Sequence, residues 1–97
     1  MNHVELTGEL FEKEPIRFTP AGVPVFKGSL HSEGIVTEAG EKRKVITDSA
    51  FVSLGETALS LDKENLGSVL RLSGFLANQS LKSRKLIIHV TEFTKGV

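Results

Sequence analysis

Two glycines interrupt otherwise regular apolar rows, and that feature limits the folds open to this chain more than any other. In "VELTGEL", Val4, Leu6 and Leu10 alternate with His3, Glu5, Thr7 and Glu9, and Gly8 stands where the row needs another apolar side chain. In "SVLRLSGFLAN", Leu70, Leu72 and Leu76 alternate in the same way, with Gly74 in the row. Period-2 alternation marks half-buried strands. A glycine inside such a row marks a bulge or a sharp bend. Both strands are therefore expected to curve strongly.

The remaining segments supply the other elements. After an acidic connection, "PIRF" resumes extended structure, and "TPAGVP" reads as a type I turn with Thr19 first, Pro20 second and Gly22 fourth. Pro24 forces Val23 into an extended conformation, and a second strand runs over Val25 to Ser32. "EGIVTEAGEK" reads as a long polar hairpin connection into a third strand around Lys44 to Phe51. Ser53 followed by Glu56 has capping-box spacing, and Leu54, Ala58 and Leu61 recur at helical intervals, which predicts one short helix. Gly67 lies beyond it, "SVLRLSGFLAN" is the fourth strand, and Lys85 to Phe93 is the fifth.

Five curved strands with a short helix between strands three and four is the plan of an all-β, five-stranded OB-fold, a Greek-key barrel. An open sheet is the alternative arrangement of the same elements. A chain of 97 residues has room for one small core, so residues 1–97 are read as a single domain.

Composition narrows the function. With 39% apolar and 25% charged residues the chain is that of a folded protein. The absence of cysteine excludes disulfides, thiolate zinc sites and a cysteine nucleophile. The N-terminus lacks a signal-peptide core and no apolar run approaches the roughly 18 residues a membrane span needs, so a cytoplasmic protein with no membrane contact is expected. His3, His31 and His89 are scattered without ligand spacing or a neighbouring nucleophile, so neither a metal site nor a catalytic triad assembles. "TPAGVP" lacks the Lys-Ser/Thr ending of a phosphate-binding loop. The expectation is a protein that is not an enzyme and carries no cofactor.

Twelve basic and twelve acidic side chains cancel, yet their distribution is uneven. Residues 1–14 carry four Glu and one Lys (−3), and residues 68–97 carry five Lys or Arg and one Glu (+4). In an OB-fold the loops between strands one and two and between strands four and five flank the ligand-binding face. Arg17 belongs to the first loop. Lys82, Arg84 and Lys85 belong to the second, and Lys42, Arg43 and Lys44 open strand three beside the same face. Three basic clusters distant in sequence are thus expected to converge on one groove suited to a phosphate backbone.

Four segments in order, "VELTGEL", "PIRFTPAGVPV", "TEAGEKRK" and "LRLSGFLANQSLKSRKLIIHV", resemble the primosomal replication protein N (PriB) family, bacterial relatives of single-stranded DNA-binding protein. The resemblance covers nearly the whole chain. It implies an OB-fold homodimer that binds single-stranded DNA during replication restart and contacts the primosomal helicase PriA and other primosome proteins. It also implies DNA contact at the family's basic positions, which correspond here to Arg17, Lys42, Arg43, Lys44, Lys82, Arg84 and Lys85. This chain departs from the family's pattern in three places. Relative to the best-known member, Ile46 stands in place of a stacking tryptophan, Glu41 replaces an aromatic near the preceding turn, and Glu33 replaces an arginine near the end of strand two. The loop between strands four and five is also about two residues shorter.

Each feature has a plainer reading. Polar loops are ordinary solvated surface, Arg17 sits within reach of Glu14 in a weak exposed pair, and Phe18, Phe51, Phe75 and Phe93 are expected mostly to fill the barrel. Phe75 is the exception to examine, because its parity is opposite to that of Leu72 and Leu76. The first functional reading is a non-catalytic module that holds single-stranded DNA through a basic groove. The alternative is an OB-fold interaction adaptor of the primosome with weak or no direct DNA binding, favoured by zero net charge, the missing tryptophan, Glu33 and Glu41.

Overall fold

The computed structural model describes residues 1–96. Its strands are β1 (Val4–Lys13), β2 (Arg17–Phe18), β3 (Pro24–Glu38), β4 (Glu41–Leu54), β5 (Val69–Ser80) and β6 (Ser83–Lys95), with helix α1 (Glu56–Asp62) between β4 and β5. β2 is a two-residue stub beside the start of β3. The other five strands are those expected from the sequence. They neighbour one another in the order β1-β5-β6-β4-β3, and β1 also pairs with β3, which closes the barrel. All pairings are antiparallel except β4 with β6, which run parallel with Phe51 opposite Ile88 and Val52 opposite His89.

β1 achieves closure by changing partners along its length. Val4 to Glu9 register against β5, and Glu9 to Lys13 register against β3, with a bulge between Leu10 and Glu12. Gly8 lies at the changeover, where a Cβ would overlap the carbonyl oxygen of His31. Gly74 sits at the register shift between β5 and β6, and a Cβ there would overlap the carbonyl oxygen of His89. Both glycines therefore permit close backbone approach at bends, as their interruption of the apolar rows suggested.

The interior is filled by Leu10, Phe26, Leu30, Phe51, Leu70, Leu72, Ile88 and Val90, with Ala58 and Leu61 of α1 closing one end. The Phe26 and Phe51 rings are tilted against each other at 5.8 Å. Lys13 Nζ donates to the carbonyl oxygens of Asp62 (2.8 Å) and Glu64 (2.9 Å), placing a cation at the C-terminal end of α1 and tying it to β1.

Three local expectations are corrected. The helix begins after Gly55, with no side-chain cap, and Ser53 is a buried residue of β4 whose Oγ donates to the carbonyl of Val90 at 3.0 Å. A buried hydroxyl needs a partner, and the strand core supplies it before the helix starts. Second, the connection between β3 and β4 is a tight turn at Ala39 (φ 53) and Gly40 (φ 79), not a long loop. Two positive φ angles match the twist of paired strands, and β-branched Ile35, Val36, Thr37, Val45, Ile46 and Thr47 carry the ladder out to Glu38 opposite Glu41. Third, β5 and β6 are joined by only Leu81 and Lys82, so Arg84 and Lys85 belong to β6.

β3 registers with β1 as far as His31, and beyond that the β3–β4 ribbon extends as an arm. A fifteen-residue strand at about 3.3 Å per residue accounts for the 50 Å long axis of the molecule. The turn at Thr19 forms as expected, with the Gly22 N–H donating to the Thr19 carbonyl at 2.8 Å.

The two kinds of glycine give opposite mutational outcomes. Gly74→Ala is expected to destabilise by about 1–3 kcal/mol through backbone overlap. Gly34→Ala, in open space at ordinary φ, is expected to be neutral or stabilising by up to about 1 kcal/mol. Urea unfolding of both variants checks this, and equal midpoints would overturn the close-approach account.

Candidate nucleic-acid interface

Strand parity sorts the side chains of β3 and β4 into two sets. Phe26 and Leu30 point into the core, so Lys27, Ser29, His31 and Glu33 take the outer face. The register carries that face across the barrel. Lys27 is opposite Val52, Val52 is opposite His89, and His89 is opposite Phe75. In the next row Ser29 faces Ala50, and Ile87 faces Ala77. The small side chains leave a concavity of about 350 Å³, lined by Lys27, Ser29, Ala50, Val52, Ile87 and His89, with Glu12, Lys13 and Glu14 at one margin and Gln79 at another.

None of the seven basic residues singled out from the sequence lines this concavity. Lys42 and Lys44 share the outer parity of Ala50 and Val52 farther along β4, while Arg43 has the opposite parity. Lys82 is in the turn between β5 and β6, Arg84 and Lys85 begin β6, and Arg17 lies on β2. Three of the seven already hold carboxylates: Arg17 with Glu14 (3.7 Å), Arg43 with Glu38 (3.4 Å) and Lys44 with Glu33 (3.1 Å). All are exposed pairs of small energetic weight. Among the described residues Lys42, Lys82, Arg84 and Lys85 make no ion pair.

Lys27 is the cation that sequence reasoning missed. It is exposed, unpaired among the described residues, and lines the concavity. Its signal was the inward parity of Phe26 and Leu30, which requires Lys27 to point out. Lys13 also borders the concavity, but its ammonium is held by the α1 carbonyls. The aromatic expectation holds for Phe51, which is buried, and for Phe93, which packs against the core. It fails for Phe18, on the stub outside the barrel; Phe75, whose parity is opposite to that of Leu72 and Leu76, lies on the outer face.

The outer face of β3 and β4 also carries a polar chain. His31 Nδ1 lies 2.5 Å from Asp48 Oδ1, and its Nε2 lies 2.9 Å from Glu33 Oε2, while Glu33 also meets Lys44. Ionised carboxylates only accept hydrogen bonds, so the ring satisfies both by donating from both nitrogens, as imidazolium. The bonds from Glu33 and Asp48 accordingly raise the His31 pKa, and those from His31 and Lys44 lower the Glu33 pKa.

Residues 2–92 match the model of a family described as another single-strand binding protein family. The chain belongs to this family of single-strand binding proteins. Replication restart protein PriB of Bordetella pertussis is 37% identical over 92 residues, spanning 95% of this chain and 86% of that one. PriB of Nitrosomonas europaea is 28% identical over 91 residues, spanning 94% and 84%. The structure of PriB from Ralstonia solanacearum matches with a TM-score of 0.88 at 32% identity, covering 99% of each chain. The single-stranded DNA binding protein from Thermus aquaticus shares the fold, with a TM-score of 0.81 at 21% identity over 100% of this chain and 50% of that one. The resemblance to PriB read from the sequence is thus found in both sequence and structure.

The His31 chain sets a pH window. A raised His31 pKa adds stability that is complete below its ordinary 6.5 and is lost as pH rises through the raised value. A lowered Glu33 pKa adds stability that is present above its ordinary 4.5 and is lost as pH falls through the lowered value. Both contributions are complete between those two ordinary values. Titration of the His31 ring resonances by NMR is expected to give a midpoint above 6.5, moving back toward it in Asp48→Asn and Glu33→Gln; a wild-type midpoint at or below 6.5 would overturn the chain.

Proposed function

We propose that this protein binds single-stranded DNA in replication restart, holding the strand through basic side chains with little dependence on sequence. The observation that carries this reading is a set of exposed cations that make no ion pair among the described residues: Lys27, which lines the concavity, Lys42 out on the β3–β4 arm, and Lys82, Arg84 and Lys85 at the β5–β6 turn. It is supported by membership of a single-strand binding family and by relatives named replication restart protein PriB. Cations on a strand release condensed counterions, so affinity falls steeply with salt. Arg17, Arg43 and Lys44 join the site by exchanging their exposed carboxylates for phosphates. Residues 1–97 act as one binding domain, and contact with the helicase PriA follows from the same resemblance. The role is that of a binding protein rather than an enzyme.

The chain acts as a homodimer. The edge of β1 from Val4 to Thr7 that faces away from β5 has no registered strand partner among the described residues, because β3 pairs with β1 only from Glu9 onward. Such an edge suits addition of a second copy across a two-fold axis. Light scattering after size-exclusion chromatography is expected to give twice the 10.6 kDa chain mass; a monomer at micromolar concentration would overturn the dimer.

The adaptor reading is favoured by one observation. Ile35, Val36, Val45 and Ile46 are all exposed on the β3–β4 arm. On that reading the arm meets a protein of the primosome.

Fluorescence anisotropy of labelled oligo-thymidine decides between the two. Each phosphate contact on a single strand contributes about −0.7 to the slope of log affinity against log salt. The Lys82→Ala, Arg84→Ala, Lys85→Ala triple variant is therefore expected to flatten the slope by about 2. Undetectable wild-type binding at low salt would favour the adaptor.

A further inference from the structure

Resting on the single-strand reading, we propose that Phe75 and His89 form a base-stacking subsite on the outer face of the barrel, which accepts one unpaired base of the bound strand. The two rings stand opposite each other on β5 and β6, with centroids 4.9 Å apart and planes within 10°, so a stack already exists. Phe75 remains 38% exposed and lines a hollow on the outer face.

The surroundings fit a base. His89 divides two hollows: the concavity containing Lys27 and Gln79, and a second of about 270 Å³ lined by Val52, Leu54, Thr57, Phe75, His89 and Thr91. Aliphatic Val52 and Ile87 provide flat apolar floor, and Gln79 and Thr57 offer hydrogen bonds to base edges without demanding one base over another. Lys27 ends the row that runs through Val52 and His89 to Phe75. A phosphate at Lys27 and a base on Phe75 are thus reached from one groove, with no like charge between them along that row. Glu12 and Glu14, at the far margin of the concavity, keep phosphates off that side. A cross-strand aromatic pair that merely packed the sheet would be covered by its neighbours; this one keeps exposed aromatic surface in the same cross-strand row as a cation that makes no ion pair among the described residues.

The chain contains no Trp or Tyr, so an added tryptophan reports the site alone. Wild type, Phe75→Leu and Phe75→Trp are titrated against labelled oligo-thymidine and against an abasic strand of equal length, with thermal unfolding as a folding control. Base stacking measured by side-chain removal corresponds to roughly a five-fold loss of affinity or more. Phe75→Leu is expected to lose that much for oligo-thymidine, with abasic affinity and salt slope unchanged. Phe75→Trp is expected to retain binding, with its fluorescence quenched by oligo-thymidine and not by the abasic strand. Unchanged oligo-thymidine affinity in Phe75→Leu, or an unquenched Phe75→Trp that still binds, overturns the subsite and leaves the single-strand reading standing. If wild-type protein binds neither strand, that reading fails and the subsite with it.

Discussion

The architecture depends on β1 serving two neighbours. A strand that pairs with β5 through Glu9 and with β3 from Glu9 must turn sharply in the middle, and the bend brings its backbone against the carbonyl of His31. Only a residue without a Cβ fits there. With β1 bent, the remaining strands wrap around one line of inward side chains, and Leu10, Leu30, Leu70 and Leu72 lose contact with water together. Burying each of these side chains is worth roughly 1.5–3 kcal/mol relative to exposure, so closure and core formation are the same event. The outer face of β3, β4 and β6 takes its curvature from that bend.

Charge on that face is arranged by position rather than by amount. Zero net charge at the level of the chain coexists with cations spaced along the arm, the β5–β6 turn and the row through Lys27. The acidic residues fall into two roles. Glu14, Glu38 and Glu33 hold arginines and lysines at the surface in exposed pairs, which yield readily because solvent already screens them. Asp48 and Glu33 instead hold His31 from both ring nitrogens, fixing a cationic ring in the middle of the face. Signs therefore alternate near the base of the arm, while the cations that make no ion pair among the described residues lie at Lys27, which shares its concavity with Glu12 and Glu14, and at the β5–β6 turn.

What was legible in the sequence were features that depend on neighbours in the chain. Period-2 rows, the Thr19 turn and the two glycines report local geometry directly, and they were enough to place five curved strands; the choice of a barrel over an open sheet rests on the pairing of β1 with β3. The readings that failed depended on context from elsewhere. Ser53 and Glu56 have cap spacing, but the Val90 carbonyl, far away in the chain, needed the Ser53 hydroxyl. The polar stretch around Gly40 looked like a loop because neither face of a two-stranded ribbon has to be apolar; its pairing is set by the turn. Lys27 was overlooked for a similar reason: the parity of Phe26 and Leu30 turns it outward, but only the pairing with Val52 and, through it, His89 shows what it lies beside. The basic residues nearest one another in sequence were easy to group, yet strand parity separates Arg43 from Lys42 and Lys44.

The placement of Phe75 and His89 follows from how β5 and β6 pair. Ser73 faces Glu92, but Gly74 faces Val90, so Thr91 is an extra residue on β6. In a regular strand Val90 and Phe93 would point to opposite faces; the extra residue lets both turn toward the core, where they pack. It also moves every later pair by one position, which sets His89 rather than Val90 opposite Phe75. The polar groups that the bulge frees find partners: Thr91 Oγ1 donates to the Ser73 carbonyl at 3.3 Å, and Thr57 Oγ1 of α1 donates to the Thr91 carbonyl at 3.2 Å. Gly74 is required at the same place because the β6 backbone comes too close for a side chain. The irregularity that completes the core on one side of the sheet thus creates the exposed aromatic stack on the other, and neither arrangement can be altered without the other.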